Sequence, residues 1–286
     1  MKISRRDFSK AVIASPLVMA APGFAKVNSK VDGVMIGAQT YSFRELPSLD
    51  DCIHAMQQIG LGYAELWEGQ VMPRGDKLES WRTHPPLDEF FAIRKKFDDA
   101  GIEIYAYTYG FRDEFTDEQI EQGFLMAKAL GTNRITSSAN VDISPRVDKY
   151  AQKYETYVGY HDHDSMKPNE FSTPDDWKQA LAGRSKYTGI NLDIGHFTAA
   201  GFDPVSFLEE HHERIVTLHI KDRKKNHGAN MPFGEGDTNI KGVLQALKTK
   251  RYPIPAMIEY EYNKPGVLDT VTEVRRCFDY MKAALA

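Results

Sequence analysis

Cysteine is scarce: the 286 residues hold two, Cys52 and Cys277, leaving room for one bridge at most. A surplus of basic charge is also missing. The formal net charge is −4, and residues 1–25 carry four Lys/Arg against one Asp, so the remainder stands at −7. A nucleic-acid partner is therefore not expected, because phosphate backbones select the opposite sign. A long apolar run is lacking too. Ala11–Ala21 spans 11 residues, too short to cross a bilayer, so no stable membrane anchor is expected. Finally, no change of composition marks a second domain.

The first 25 residues are read as an export signal. Ser4-Arg5-Arg6-Asp7-Phe8-Ser9-Lys10 resembles the twin-arginine motif, Ala11–Ala21 supplies the apolar region, and Gly23-Phe24-Ala25 offers small residues for cleavage after Ala25. That route carries folded proteins. A periplasmic protein is expected, with residues 26–286 as one domain.

Those remaining residues, about 260, match the size of a (β/α)₈ barrel. They alternate strand-type apolar runs with segments of helical period. The strands are expected at Val34–Tyr41, Tyr63–Trp67, Ile102–Tyr107, Arg134–Ser138, Tyr157–His161, Gly189–Asp193, Ile215–His219 and Ala256–Glu259. Helices are expected to begin near Ser48, Pro86, Thr116, Ile143, Thr173, Asp203, Asn239 and Leu268. Ser48, Thr116 and Thr173 precede acidic first turns as N-caps should, and Gly60, Gly101 and Gly131 follow apolar runs where a left-handed cap is wanted. An open doubly wound sheet is the alternative topology. Cys52 and Cys277 fall in the first and last helices, neighbours in a closed barrel. Buried free thiols are expected there, with a disulfide as the alternative. The long approach to the second helix, Gly69–Pro85, reads as a loop, either a lid or a surface excursion with no role.

In such a barrel the C-terminal strand ends converge on one face. Strands 5 to 8 end in His161, Asp193, His219 and Glu259. Four groups of ligand type at four successive strand ends point to a divalent metal. Two imidazoles and two carboxylates suit Mn²⁺, Zn²⁺, Fe²⁺ or Co²⁺ equally.

Several motifs carry a family resemblance over the whole domain: Ile36–Ser42 on strand 1, Tyr160-His161-Asp162-His163-Asp164 after strand 5, Leu192–His196 on strand 6, Leu218–Asp222 on strand 7, the Phe233–Asp237 loop, and Ile258–Glu261 on strand 8. With these the chain resembles the xylose-isomerase-like TIM barrels, which include isomerases and epimerases of sugars and sugar phosphates. The resemblance implies Asp193, His219 and Glu259 as ligands and His196 as a substrate contact. At strand 5 many members carry glutamate; here His161 stands in a Tyr-His-x-His sequence, which departs from a symmetric two-glutamate mechanism.

The expected chemistry is removal of the proton next to a polarised carbonyl of a keto-sugar or related polyol. His163, two residues beyond His161 on the same face, is the first candidate base and Glu259 the second. Lys221 is expected to steady an oxyanion, or else to pair with Asp222 or another acid. Glu65 is expected to hold a sugar hydroxyl or act as a remote acid, or else to be a buried structural carboxylate. Tyr41 and Trp67, with Phe43, Tyr107 and Tyr109, are expected to wall the site for the C–H face of a sugar. Three function classes remain open: an isomerase or epimerase, a lyase or dehydratase acting on 3-keto-glycosides or inososes, and a non-catalytic carbohydrate-binding protein. The Phe233–Asp237 loop lacks the pattern of a phosphate cradle, which favours an unphosphorylated sugar. A homo-oligomer is compatible with the sequence.

Overall fold

Runs rich in β-branched and aromatic residues form eight short strands: β1 (Val34–Gln39), β2 (Tyr63–Trp67), β3 (Glu103–Thr108), β4 (Arg134–Ser137), β5 (Tyr157–His161), β6 (Thr188–Asp193), β7 (Ile215–Ile220) and β8 (Ala256–Ile258). All pair in parallel with their chain neighbours, and β1 pairs with both β2 and β8, which closes the barrel. The alternative of an open sheet is thereby removed. The computed structural model describes residues 25–263, 266 and 268–286. The export motif and the apolar stretch lie outside them.

Between the strands run α1 (Leu49–Ile59), α2 (Leu87–Asp99), α3 (Asp117–Ala129), α4 (Ser144–Tyr154), α5 (Pro174–Leu181), α6 (Pro204–His211), α7 (Ile240–Lys250) and α8 (Thr270–Leu285). The caps explain the boundaries. Ser48 Oγ accepts the Asp51 amide, and Thr116 and Gln119 satisfy each other's amides in a capping box. Gly60, Gly101 and Gly131 take φ of +91°, +73° and +81° just beyond helix ends, where a side chain would be strained.

The structure corrects the sequence reading in three places. Strand β1 stops at Gln39, because the Gln39 side chain accepts the Tyr41 amide at 2.7 Å and starts a 3₁₀ turn over Thr40–Phe43. The approach to α2 is not all loop: it contains a helix at Lys77–Thr83 whose Trp81 packs 6.0 Å from Phe90. That helix has seven residues and no side-chain N-cap, so little in the sequence announced it. A second short helix, Ile194–Ala199, follows β6 without a loop and is capped by Asp193.

Outward-facing strand residues meet the helices in an aromatic-rich shell that includes Tyr107, Tyr109, Phe124, Tyr160 and Trp177, all nearly inaccessible to water. Burial of each such side chain stabilises the fold by roughly 1.5–3 kcal/mol. Inside the barrel, Tyr105 and Met257 pack with Met35 and Tyr63. Gly37 makes this possible: a Cβ there would lie 2.4 Å from the Tyr63 carbonyl oxygen and 2.5 Å from Met257 Sδ. Helices α1 and α8 are neighbours, and their Cys52 and Cys277 are buried free thiols. Burial pushes both thiols up to about 12, which makes them unreactive. Among the described residues, no helix is long and apolar enough to cross a membrane.

Candidate metal centre

Parallel pairing fixes the heights of the strand-end residues. Asp193 is in register with His219, whereas His161 is in register with Asn191, two residues earlier on β6, and the tilt of the strands in the closed barrel brings these staggered positions to one rim. Glu259 joins them: its amide donates to the Ile220 carbonyl at 3.0 Å, continuing the β8 ladder by one residue. The result is that His161, Asp193, His219 and Glu259, all buried, each offer one ligand atom, and these atoms lie within 4.8 Å of one another.

The hydrogen bonds decide which atoms face inward. His161 Nδ1 is 3.1 Å from Asn191 Oδ1, which leaves Nε2 free. His219 Nε2 is 2.8 Å from Glu65 Oε1, which leaves Nδ1. Asp193 Oδ1 accepts the amides of Gly195 and His196 at 2.8 Å each, which leaves Oδ2. Asp193 Oδ2, His219 Nδ1 and Glu259 Oε2 are buried without an aligned hydrogen bond among the described residues, although the Lys221 ammonium stands 3.1 Å from Asp193 Oδ2 and 3.4 Å from Glu259 Oε2. His219 Nδ1 and Glu259 Oε2 are 2.7 Å apart, close enough to pair as an imidazolium and a carboxylate. Leaving buried polar atoms unsatisfied costs about 1–3 kcal/mol each. Lys221 approaches the two carboxylate oxygens from one side only, and two imidazole nitrogens and two carboxylate oxygens within 4.8 Å of one another form a donor set that fits a divalent metal.

The charges are arranged to suit. Burial lowers the His219 pKa, but the carboxylates of Glu65 and Glu259 outweigh it and hold this imidazole well above the usual histidine range. Burial, with the neighbouring His219 and His163, holds His161 well below that range. Burial would raise Glu259, but Lys221 and His219 keep it ionised. Glu65 sits beneath the site, fully buried, where it also accepts from Thr136 Oγ1 at 2.7 Å and Thr108 Oγ1 at 3.2 Å. It does not line the cavity above. Of the roles expected for Glu65, the buried carboxylate is the one that matches this placement: it is a partner of His219, in the manner of carboxylates that orient metal-bound histidines.

Above the cluster opens a cavity of about 260 Å³, lined by Tyr41, Trp67, His161, His163, His196, His219, Glu259 and Glu261. Tyr41 and Trp67 stand edge to face at 4.9 Å and form its apolar side. Phe43, Tyr107 and Tyr109 do not join them. Thr108 points into the barrel toward Glu65, so strand alternation sends Tyr107 and Tyr109 outward, and Phe43 is fully buried. His163 packs edge to face on His161 at 4.9 Å. Its pKa is depressed to about 4 by burial and by His196 and Lys221, so it is neutral in ordinary buffers.

Lys221 is buried with its ammonium 2.6 Å from Glu261, 3.1 Å from Asp193 and 3.4 Å from Glu259. These acids outweigh the cost of burial and keep it charged. Asp222 is not its partner, because that carboxylate accepts the amides of Gly234 and Gly236 at 2.8 and 2.9 Å and clamps the Phe233–Asp237 loop. His196 lies between Lys221 Nζ at 3.0 Å and Arg223 Nη1 at 2.7 Å, and Arg223 in turn binds Asp164 at 2.6 Å. Sequence reasoning passed over Asn191, Arg223, Asp164 and Glu261. Asn191 was within reach, since it lies two residues before Asp193 on the same strand face, and Glu261 follows Glu259 by two residues just past the end of β8.

A larger cavity, about 640 Å³, lies on the flank between α5 and α6 over Trp177, Phe197 and Phe207. It contains none of the strand-end residues and is not the site.

Comparison with known proteins agrees with the barrel fold. L-ribulose-5-phosphate 3-epimerase of Escherichia coli is 33% identical over 94 residues, 33% of this chain and 32% of that protein. The matched stretch thus spans about a third of these curated relatives. Among solved structures, the IOLI protein with a bound zinc atom superposes with a TM-score of 0.69 at 15% identity, covering 88% of this chain and 98% of the other. The 3-keto-D-glucoside 4-epimerase of E. coli does so with a TM-score of 0.64 at 13% identity, covering 87% and 99%. Residues 53–283 match the family defined by this barrel. The chain belongs to the xylose isomerase-like TIM barrel family.

Proposed function

We propose that this protein is a metal-dependent isomerase or epimerase of a keto-sugar or related polyol. The observation that carries the reading is the set of buried, inward-facing ligand atoms on His161, Asp193, His219 and Glu259 beneath a cavity with one apolar wall and several polar ones. Two of the proteins it resembles are epimerases by name. A bound divalent cation (Mn²⁺, Zn²⁺, Fe²⁺ or Co²⁺) supplies Lewis acidity toward a carbonyl.

The chain's own residues supply the rest. Tyr41 and Trp67 receive the C–H face of the sugar. His163, neutral and on the cavity wall, takes the proton next to the carbonyl. Glu259 is the weaker base, since Lys221 and His219 lower its proton affinity. Lys221 neutralises Asp193, Glu259 and Glu261, so its charge steadies the carboxylates before it can steady an oxyanion. An unphosphorylated substrate is supported by the Phe233–Asp237 loop, whose Gly234 and Gly236 amides are spent on Asp222.

One observation favours a lyase as the second reading. His163 also lines a neighbouring cavity, where it would meet a leaving group. A test separates the readings: incubate the metal-loaded protein in D₂O with ketoses, 3-keto-glucosides and inososes, and follow proton NMR. Deuterium entering beside the carbonyl without loss of a substituent supports the isomerase, and loss of a β substituent supports the lyase. Absence of exchange on every substrate would leave only carbohydrate binding. We also propose twin-arginine export to the periplasm, supported by Ser4–Lys10. Replacing Arg5 and Arg6 by Lys should retain the protein in the cytoplasmic fraction.

A further inference from the structure

Beside the metal-centre cavity lies a second one of about 360 Å³, and the two share Ser138 and His163 as lining residues. Its other walls come from Arg112, Asn140, Ser165, Lys167 and Glu170. The first cavity alone is smaller than the roughly 300–1,000 Å³ usual for small-molecule sites, while the two joined fall within that range.

This second cavity is built, not a gap between loops. An antiparallel bridge joins Asn140 to Glu170. The Val141 amide donates to the Asn169 carbonyl at 3.1 Å, and the Asn169 side chain accepts the Asp142 amide at 2.9 Å and donates to Asp113 at 2.6 Å. Arg112 is held by donating to the Ser138 and Phe111 carbonyls. The loop after β5 is thus fastened across the end of β4, with Ser165 and Lys167 over the cavity.

Polar capacity remains after those bonds are counted. Among the described residues, Lys167 Nζ has no partner and Glu170 engages only Ser165, at 3.5 Å. Two cations, one carboxylate and hydroxyls give donors and acceptors in mixture, the Asn140 side chain being engaged by the Asp113 amide and the Asn169 carbonyl. That mixture suits the hydroxyls of a neutral sugar ring, whereas a phosphate would meet Glu170.

We propose that this cavity is a second carbohydrate subsite, so that the substrate is a glycoside of at least two units, with one ring at the metal centre and the other among Arg112, Lys167 and Glu170. The proposal rests on the sugar-binding part of the function proposed above and is tested without turnover. Titrate the full-length metal-loaded protein by calorimetry with methyl glucoside and with a panel of glucose disaccharides of different linkage. At least one disaccharide is expected to bind about tenfold more tightly than methyl glucoside. The Lys167→Ala/Glu170→Gln double variant should abolish that advantage and leave methyl glucoside affinity unchanged. Lys167 is exposed and the glutamine is isosteric, so this variant should fold, which circular dichroism checks. The subsite is overturned if no disaccharide exceeds the monosaccharide, including no binding at all, or if the advantage survives in the variant. It is also overturned if glucose 6-phosphate outbinds every disaccharide in a manner dependent on Lys167, which would mark an anion site. A disaccharide advantage with no deuterium exchange on any substrate would refute the reaction and leave the subsite standing.

Discussion

Glu65 Oε1 lies 2.8 Å from His219 Nε2, on the side of the ring opposite Glu259, so a single imidazole is held between two carboxylates. The Glu65 carboxylate is fully buried and braced by the hydroxyls of Thr108, Thr136 and Thr217. This fixes the ring's orientation and assigns Nδ1 to the centre. Replacing Glu65 by Gln keeps the volume but removes the charge and weakens the acceptor. Outer partners of this kind change metal affinity by about 10–100-fold. Glu65→Gln should therefore bind metal more weakly by that factor in a chelator competition, with circular dichroism unchanged. Equal affinity in the two proteins would show that the carboxylate is only structural.

The same triad predicts how metal uptake depends on pH. In the metal-free protein His219 has a raised pKa, so it stays protonated above the usual histidine range. A metal needs the neutral ring, so below that pKa each binding event displaces a proton. Apparent affinity should fall by about tenfold per pH unit on acidification for each proton displaced. The stability of the metal-free protein follows the two shifts separately. The contribution of His219, whose pKa is raised, is full at low pH and lost as pH rises through its folded value. That of Glu259, whose pKa is lowered, is present above the usual carboxylate range and lost as pH falls through its folded value. Metal titrations monitored for proton release at two pH values would check this: no proton release at neutral pH would contradict it.

Most of this site was legible in the sequence because a parallel barrel brings strand ends to one rim. His161, Asp193, His219 and Glu259 each close an apolar run, so chain order alone placed them together. What was not legible depends on which way a side chain turns and on what it has already bonded. Glu65 closes on His219 from across the barrel, 154 residues away in sequence, a contact that no local pattern encodes. Tyr107 and Tyr109 looked like cavity walls but alternate outward, while Thr108 between them points in. The helix at Lys77–Thr83 lacks a side-chain cap and is held by its surroundings: Arg82 sits over the Phe115 ring at 4.5 Å and 3.9 Å from Glu68.

Gly37 tests the interior of the barrel. A Cβ at this position would approach the Tyr63 carbonyl to 2.4 Å, and backbone oxygen in a closed sheet cannot step aside. Overpacking of this kind costs about 1–3 kcal/mol. Gly37→Ala should lower the thermal midpoint measurably while Gly33→Ser, at a turn with open space around it but φ of +90°, reports the separate cost of backbone strain. An unchanged midpoint for Gly37→Ala would mean that β1 and β2 can move apart.

His163 and His161 are two residues apart and touch, yet they should fail differently when replaced. His161 is a ligand candidate with one nitrogen tied to Asn191 and the other turned to the centre, so His161→Ala should lower metal content. His163 has no hydrogen bond from its ring among the described residues and lies on the cavity wall, so His163→Ala should keep its metal. If His163 is the base, its loss removes a proton-transfer contribution of about 10²–10⁴ in rate. The expected pattern is full metal occupancy with deuterium exchange slowed by that factor and KM changed little. The depressed pKa of about 4 adds a second signature: the wild-type rate should not fall between pH 8 and about 6 through protonation of this group, because the neutral imidazole persists throughout. Exchange at the wild-type rate in His163→Ala would move the base to Glu259, and Glu259→Gln would then abolish exchange and metal binding together.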